Sequence, residues 1–362
     1  MKKHFIKKMA AIGALTASML LAACGPAAPA AGGNGAPAAA ADGGTQSIVM
    51  YSNAVSDGRG DWIQERALRE LNIDVQFVDL GGVALSNRLI AERYNPMGDV
   101  IFGLNPMLWH AMEYNDLIVP HFPPWRDEVP AYLNHPDGLF NAVILVGNLL
   151  TWDTAQVGAA EAPSDWLDLW ENPAFHGRYA LPVALTGSTV QMVLSGIFTR
   201  FLDPNGLMGV SDEGWSHIER KFANGVPTEG EIYAPIADPN SPVALSQMWS
   251  HGVPVREEQF GLEIGFAVPS VGIPFSVEGA ALINGAPNEE AARRFIDWFG
   301  TAEVMHDFSY RFGFLPAHPG ALDGLGGMTL QMAAVPHQTV NWSVIAPNIS
   351  QWMEHIYLTY MQ

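Results

Sequence analysis

The chain has 362 residues, of which 48% are hydrophobic, 10% aromatic and 15% charged; this supplies a sizeable core, excludes bulk disorder and a polytopic membrane protein, and suggests two lobes or domains rather than one. Lys and Arg number 18 against 37 Asp and Glu, a formal charge of −19, which argues against nucleic acid as a partner because phosphate contacts need clustered cations. With one cysteine, Cys24, an internal disulfide and a cysteine-based metal site are excluded.

The first 23 residues read as an address. Lys2, Lys3, Lys7 and Lys8 precede an apolar run from Met9 to Ala23 without an acidic residue, the n-region and h-region of a secretory signal. Leu21-Ala22-Ala23-Cys24 resembles the bacterial lipobox, in which cleavage precedes a cysteine that then carries lipid. Cys24 is therefore the expected lipidation site. Cleavage there would leave 14 basic against 37 acidic side chains, with Lys221 as the remaining lysine. Residues 24–45 are nearly all Gly, Ala and Pro and predict a flexible tether.

From there strands and helices alternate. Residues 47–52 (SIVMYS) predict a short buried strand, and 61–71 has helix spacing at Trp62, Ile63, Arg66, Ala67 and Glu70. Residues 73–77 alternate with period two, as a strand does. Gly81 and Gly82 break the chain before a helix over 85–94; 99–104 (DVIFGL) predicts a third strand and the region near 106–114 a helix. Three strand–helix units in succession indicate an α/β layer with a parallel sheet. The second half repeats this style. Residues 164–170 predict a short capped helix, 179–185 a strand, and 188–201 a helix whose apolar face carries Val190, Val193, Leu194, Ile197, Phe198 and Phe201. Ser188 and Gln191 fit a capping box. Asn288 is a candidate cap for a helix with Glu289 and Glu290 in its first turn, an apolar stripe of Ala292, Phe295, Ile296 and Phe299, and Gly300 as its stop.

Catalytic patterns are missing. Neither a GxxxxGK[ST] phosphate loop nor an HExxH pair occurs, and His217-Ile218-Glu219 reads as surface. Val268-Pro269-Ser270-Val271-Gly272 lacks the first glycine of a nucleophile elbow, and Glu257-Glu258 and Glu289-Glu290 read as solvated faces. A binding role without cofactor or metal is the expectation, not an enzyme. The segment over 179–185 runs into Thr186, Gly187, Ser188 and Thr189, where a helix begins. Ligands of open parallel sheets bind beyond the carboxyl ends of strands, and a helix start offers free N–H groups and partial positive charge. Such a turn can hold a phosphonate, phosphate or carboxylate; equally, Ser188 can be a plain N-cap.

Several segments resemble the extracellular solute-binding proteins of ABC importers, in the branch labelled for iron(III), putrescine, thiamine or phosphonate. They are Gly81-Gly82, Leu85, Arg88, Ala91-Glu92, Asn95-Pro96 and Gly98-Asp99-Val100-Ile101-Phe102-Gly103; then Pro163-Ser164-Asp165-Trp166, Leu169, Asn172-Pro173 and His176-Gly177-Arg178; then Glu278-Gly279-Ala280-Ala281-Leu282-Ile283, Ala286-Pro287, Ala291-Ala292 and Phe295-Ile296-Asp297-Trp298; and last Gly313-Phe314-Leu315-Pro316. Their order covers roughly 46–320, most of the chain beyond the tether. The resemblance implies an α/β, two-lobed periplasmic-binding-protein-like fold of type II, with the ligand cleft between lobes joined by crossing strands. It places lobe 1 at 46–146 and 271–316 and lobe 2 at 147–270 and 317–362. It also implies a small-molecule solute, a membrane permease as partner, a monomer, and an extracytoplasmic site at a bacterial membrane. Carried over position by position, it points to Ser52 and Asn53, Gly82 and Val83, Gly103 and Asn105, then Thr186, Gly187, Ser188 and Thr189, the 247–249 region with Trp249, and Phe275 and Glu278 as ligand contacts. Asn53 and Asn105 can instead cap loops, Arg256 reads as a surface ion pair with Glu257 or Glu258, and Glu278 suits a ligand amine or a hinge amide. The adjacent tyrosines of iron(III) binders in this branch have no counterpart, since only Tyr233 falls between residues 180 and 275. The leading expectation is a small polar organic solute with an anionic group, phosphonate- or phosphate-bearing, such as an aminoalkylphosphonate or a phosphorylated metabolite. The alternatives are an organic cation (polyamine or thiamine) against Trp109, Trp249 and Phe260, an iron(III) complex, a receptor-coupled sensor and a secreted enzyme.

Overall fold

In the first strand, β1 (Gln46–Ser52), period-two alternation sends Ile48 and Met50 into one apolar core and Tyr51 into another. The computed structural model describes residues 44–361, so the expected signal segment, Cys24 and all of the tether but Gly44 and Thr45 lie outside the described residues. Helix α1 (Arg59–Leu71), β2 (Ile73–Asp79), α2 (Gly82–Glu92), β3 (Val100–Gly103), α3 (Pro106–Tyr114) and β4 (Ile118–Val119) follow. The strands β2 and β3 flank β1 in parallel. Helix α3 starts where Asn105 accepts the N–H of Leu108 at 3.0 Å and Pro106 takes the first helical position.

β5 (Asn141–Asp153) is buried along all 13 residues. Its near-continuous apolar run has no alternation, because both faces are covered. Beyond it come α4 (Asp168–Glu171), β6 (Ala180–Pro182), α5 (Ser188–Phe198), β7 (Leu202–Leu207), α6 (Asp212–Asn224), β8 (Val226–Thr228), α7 (Ala234–Ala237), β9 (Leu245–Trp249), α8 (Gly252–Phe260) and β10 (Ile264–Phe266). The chain closes with β11 (Phe275–Ile283), α9 (Glu289–Phe299), α10 (Ala302–Phe312), β12 (Leu315–Pro316), α11 (Gly327–Ala334) and α12 (Trp342–Tyr360).

Nine of the described strands form one mixed sheet in the order β2-β1-β3-β11-β5-β10, with β4 on β11 and both β9 and β12 on β5. Residues 141–147 of β5 pair antiparallel with β11, and 148–153 pair with β9 and β10. One strand thus carries the chain from one half of the molecule to the other. The amide of Asn148 pins that crossing by donating to Pro274 O at 3.0 Å and Val146 O at 3.2 Å. β6 and β8 pair in parallel as a separate two-stranded sheet.

In the half around β1, one sheet face meets α1, α9 and α10 through Ile63, Phe295, Phe299 and Phe308, and the other meets α2 and α3 through Leu85, Leu89 and Trp109. The expected stripe of α9 is buried, with Ala292, Phe295, Ile296 and Phe299 all at 0% exposure. Each large side chain there contributes about 1.5–3 kcal/mol relative to its exposed state. In the half around α5, Phe198 packs on Trp215 and on Trp352 of α12.

Several local expectations are corrected. The strand over 179–185 is only β6, and the helix over 188–201 stops at Phe198. The helix over 164–170 begins at Asp168, whose carboxylate accepts the N–H groups of Ser164 and Asp165 at 2.8 and 3.0 Å. Ser188 is not the N-cap of α5; Gly187 is, without a side-chain bond, so the capping box does not form. Asn288 stands at the N-cap of α9 but donates its side chain to Asp99 at 3.2 Å instead of capping.

Candidate functional site

A cavity of about 580 Å³ opens between the two halves, lined by Asn53 and Arg59, by Ser188 and Thr189, by Trp249, His251 and Arg256, and by Glu278 and Arg311 among others. The volume suits a small metabolite. Three of the chain's thirteen arginines line it, in a protein with twice as many acids as bases.

Three helices of nine to thirteen residues present their first turns to this space. Helix α1 follows Gly58, whose φ of 81° only glycine adopts readily, α5 follows Gly187, and α8 follows His251; none of the three has a side-chain N-cap bond. Each start directs partial positive charge at the cavity. Arg59 donates through Nε to Ala54 O at 2.8 Å, approaches Asp57 at 3.5 Å, and lies 5.7 Å from the Phe314 ring centroid. Burial lowers the pKa of its guanidinium from the ordinary value, against the pull of Asp57, Glu278 and Asp79.

Arg256 sits one turn into α8. Its Nη2 pairs with Glu231 at 2.8 Å, not with Glu257 or Glu258, and its guanidinium lies 5.6 Å from the Trp249 ring centroid. Its Nε is buried and has no acceptor. A buried donor on a charged group is costly to leave unpaired, which marks Arg256 Nε as a donor still in want of an acceptor. His251 packs 4.1 Å from Phe314, and its Nδ1 is also buried without a partner. Burial, with a smaller effect from Arg59, drops its pKa to about 3, so the imidazole is neutral at physiological pH. Glu278 stands on β11 immediately before the bulge at Gly279. Desolvation raises its carboxyl to about 7 against the opposing pull of Arg59. No hydrogen bond or ion pair reaches that carboxylate among the described residues.

Of the residues singled out in the sequence, Asn53, Ser188, Thr189, Trp249 and Glu278 meet around the cavity. The others serve different ends. Ser52 is fully buried and accepts the N–H of Ala54 at 3.0 Å. Gly82 and Val83 lie in the first turn of α2, away from the lining; a Cβ at Gly82 would come within 2.5 Å of Leu108. Gly103, at φ 102°, leaves room for Asn53 Oδ1, which a Cβ there would meet at 2.3 Å and which accepts the N–H of Leu104 at 2.8 Å. Asn105 caps α3 with Oδ1 and reaches across to Ser188 Oγ with Nδ2 at 3.0 Å. Thr186 and Gly187 are exposed beside the opening and do not line it, and Phe275 is buried, stacked on His337 at 4.0 Å. The aromatic walls also change. Trp109 is a core residue stacked on Phe140 at 4.9 Å, and Phe260 packs against the main core, which leaves Trp249 at the cavity.

Sequence reasoning missed Arg59, His251 and Arg311. Arg59 lies in the loop after β1 that already singled out Asn53, a signal within reach. His251 follows the 247–249 region by two residues. Arg311 closes α10 and has no local motif. Among the described residues no group of three or more His, Cys, Asp or Glu side chains is placed to hold a metal ion, and no helix is long and apolar enough to cross a membrane. Tyr233 is fully buried, bonded to Thr151, and outside the cavity lining.

A family model described as "Bacterial extracellular solute-binding protein" matches residues 69–335. A "Probable ABC transporter periplasmic-binding protein" of Sinorhizobium fredii is 30% identical over 318 residues, 87% of each chain. A "Putative 2-aminoethylphosphonate-binding periplasmic protein" of Salmonella typhimurium is 24% identical, covering 84% of this chain and 89% of its own. Iron-bound HitA from Pseudomonas aeruginosa superposes with a TM-score of 0.73 at 14% identity, over 86% of this chain and 99% of its own. Likeness at that identity carries the two-lobed type II fold.

Proposed function

The chain belongs to the bacterial extracellular solute-binding protein family, and from that premise we propose that it captures a small organic anion, bearing a phosphonate, phosphate or carboxylate, in the cavity between its lobes and delivers it to the permease of an ABC importer. The observation that carries the choice of anion is the buried, unpaired Nε of Arg256 in a cavity also lined by Arg59 and Arg311. The start of α5 at Ser188 and Thr189, which has no side-chain cap, adds N–H donors to the same cavity. One relative is named for 2-aminoethylphosphonate, whose phosphonate is a group of this kind beside an amine.

The lobes divide at three crossings, at about 146/147 on β5, 270/271 before β11 and 316/317 after β12. Binding stabilises the closed arrangement through contacts to both lobes, a population shift and not a chemical step. Cys24 anchors the protein to the membrane by lipid, the 24–45 tether spans to the lobes, and the monomer is the working unit. An organic cation fits less well. Of the three expected aromatic walls Trp249 alone reaches the cavity, beside Tyr310 and Phe312, and its face is already occupied by the protein's own Arg256. An iron(III) ion held by side chains would lack the tyrosine pair its chemistry favours.

The test is a thermal-shift screen of the protein with alkylphosphonates, sugar phosphates, carboxylates, putrescine, thiamine and ferric citrate, since a ligand of the folded state raises Tm by mass action. A saturable rise with one of the anions, reduced in Arg256→Ala, supports the reading. A rise with putrescine or thiamine alone overturns it.

A further inference from the structure

Helix α3 serves two cores. Leu108, Trp109 and Met112 belong to the apolar cluster of Leu85 and Leu89, in the half that holds β1. Met107 does not. It is 4% exposed and packs into the cluster of Val193, Phe198 and Trp352, whose other buried members all come from residues 150–267 and 345–356. Its Sδ lies 3.6 Å from the hydroxyl of Ser195 on α5. Two residues earlier, Asn105 caps α3 with Oδ1 and donates from Nδ2 to Ser188 Oγ at 3.0 Å. Helix α12, which brings Ile345, Ile349 and Trp352 to that cluster, packs along α3 as well. The turn before α3 is held to this direction. Gly103 and Leu104 have φ of 102° and 60°, and Asn53 Oδ1 accepts the N–H of Leu104 at 2.8 Å. A leucine in the left-handed region persists only where its surroundings over-determine it, and Leu104 is fully buried.

We propose that the first turn of α3 is a latch: Asn105 and Met107 of lobe 1 dock on lobe 2 and hold the cleft shut without a solute. This rests on the division into lobes and the closing motion proposed above, and not on the charge of the solute. If the lobes part, the Met107 side chain returns to water and the Asn105–Ser188 bond breaks, so both contacts favour closure. A bound solute adds its own contacts to a closure that the protein already favours. Every opening breaks the latch, so the latch also sets how fast a solute leaves. Neither residue lines the cavity; they are positioning residues and not ligand contacts.

The experiment is small-angle X-ray scattering from the solute-free full chain, comparing wild type with Met107→Glu and Met107→Leu. A glutamate at the second position of α3 suits the helix start in an open molecule, whereas closure would bury its charge in an apolar core. The wild-type profile matches the closed arrangement described above. Met107→Glu gives a larger radius of gyration at unchanged helix content by circular dichroism, and Met107→Leu stays closed. Should Met107→Glu fail to fold, Met107→Gln, neutral and of the same length, takes its place. Identical scattering from wild type and the folded polar variant overturns the latch. Stopped-flow release of each alkylphosphonate, sugar phosphate or carboxylate that raises Tm gives a second readout. Release from the polar variant is roughly tenfold faster or more, by the same factor for every anion. Unchanged release, or factors that differ from one anion to the next as for a ligand contact, overturns the latch. Failure of every anion to bind overturns the anionic reading and leaves the latch to be decided by the scattering, which needs no solute.

Discussion

Replacing Glu278 by glutamine stabilises the solute-free protein at pH 8 and leaves it unchanged at pH 4. The native carboxyl titrates near 7 because burial disfavours its anion, with Arg59 offsetting only part of that cost, whereas its ordinary value is 4.5. A group that binds its proton more tightly when folded contributes nothing against the protein below pH 4.5, where both states are protonated. As pH rises from 4.5 through 7 the unfolded chain ionises first, and the folded state loses ground until both are ionised. At 1.36 kcal/mol per pH unit the full loss is about 3 kcal/mol, an upper bound because the carboxylate faces a water-accessible cavity. For a chain of this length that is a rise in Tm of roughly 4 °C for the variant at pH 8. Thermal or urea melts of both proteins from pH 4 to 8 read it directly. A gain in the variant that is the same at every pH, or a loss at pH 8, would refute the reasoning.

Arg256→Lys keeps the positive charge but loses the fork that presents Nε, so affinity for the anionic solute falls by about tenfold in calorimetry while melting changes little. Asn105→Ala removes both the cap of α3 and the bond to Ser188, costing about 1 kcal/mol; Ser188→Ala removes no capping bond, since Ser188 makes none at the start of α5, and costs less, a ranking that urea melts of the two variants establish. Phe295→Ala empties a fully buried site among Phe299 and Trp298 and destabilises by about 3–5 kcal/mol, measured as a shift of the urea midpoint at unchanged slope.

The elements written in local periodicity were legible. The units β1-α1-β2 and the helix α9 announce themselves because one face of each is buried and the other is not, so their patterns repeat at 2 and 3.6 residues. β5 passed unmarked because a strand buried on both faces has no alternation to read. The strand over 179–185 shrank to three residues because its pairing partner β8 spans only three residues. The site shows the same split. Residues at strand ends and the helix start after Gly187 were reachable from the rule that ligands sit beyond strand ends. Ser188 carried two meanings in the sequence, cap or contact, and only the fold shows it free of the capping role and facing Asn105. Arg59, Arg256 and Arg311 come from three distant stretches. The mutual placement of three arginines in an acidic chain is a tertiary fact with no local spacing to betray it.

The central claim is capture of a small organic anion between the lobes by Arg256 and the start of α5. Calorimetric titration of the protein with the anion that gives the largest thermal shift, repeated on Arg256→Ala, tests it most directly. The account predicts one solute per chain with saturable heat in the wild type and at least a tenfold loss in the variant. Equal affinity in the two proteins, or more than one solute bound per chain, would contradict it.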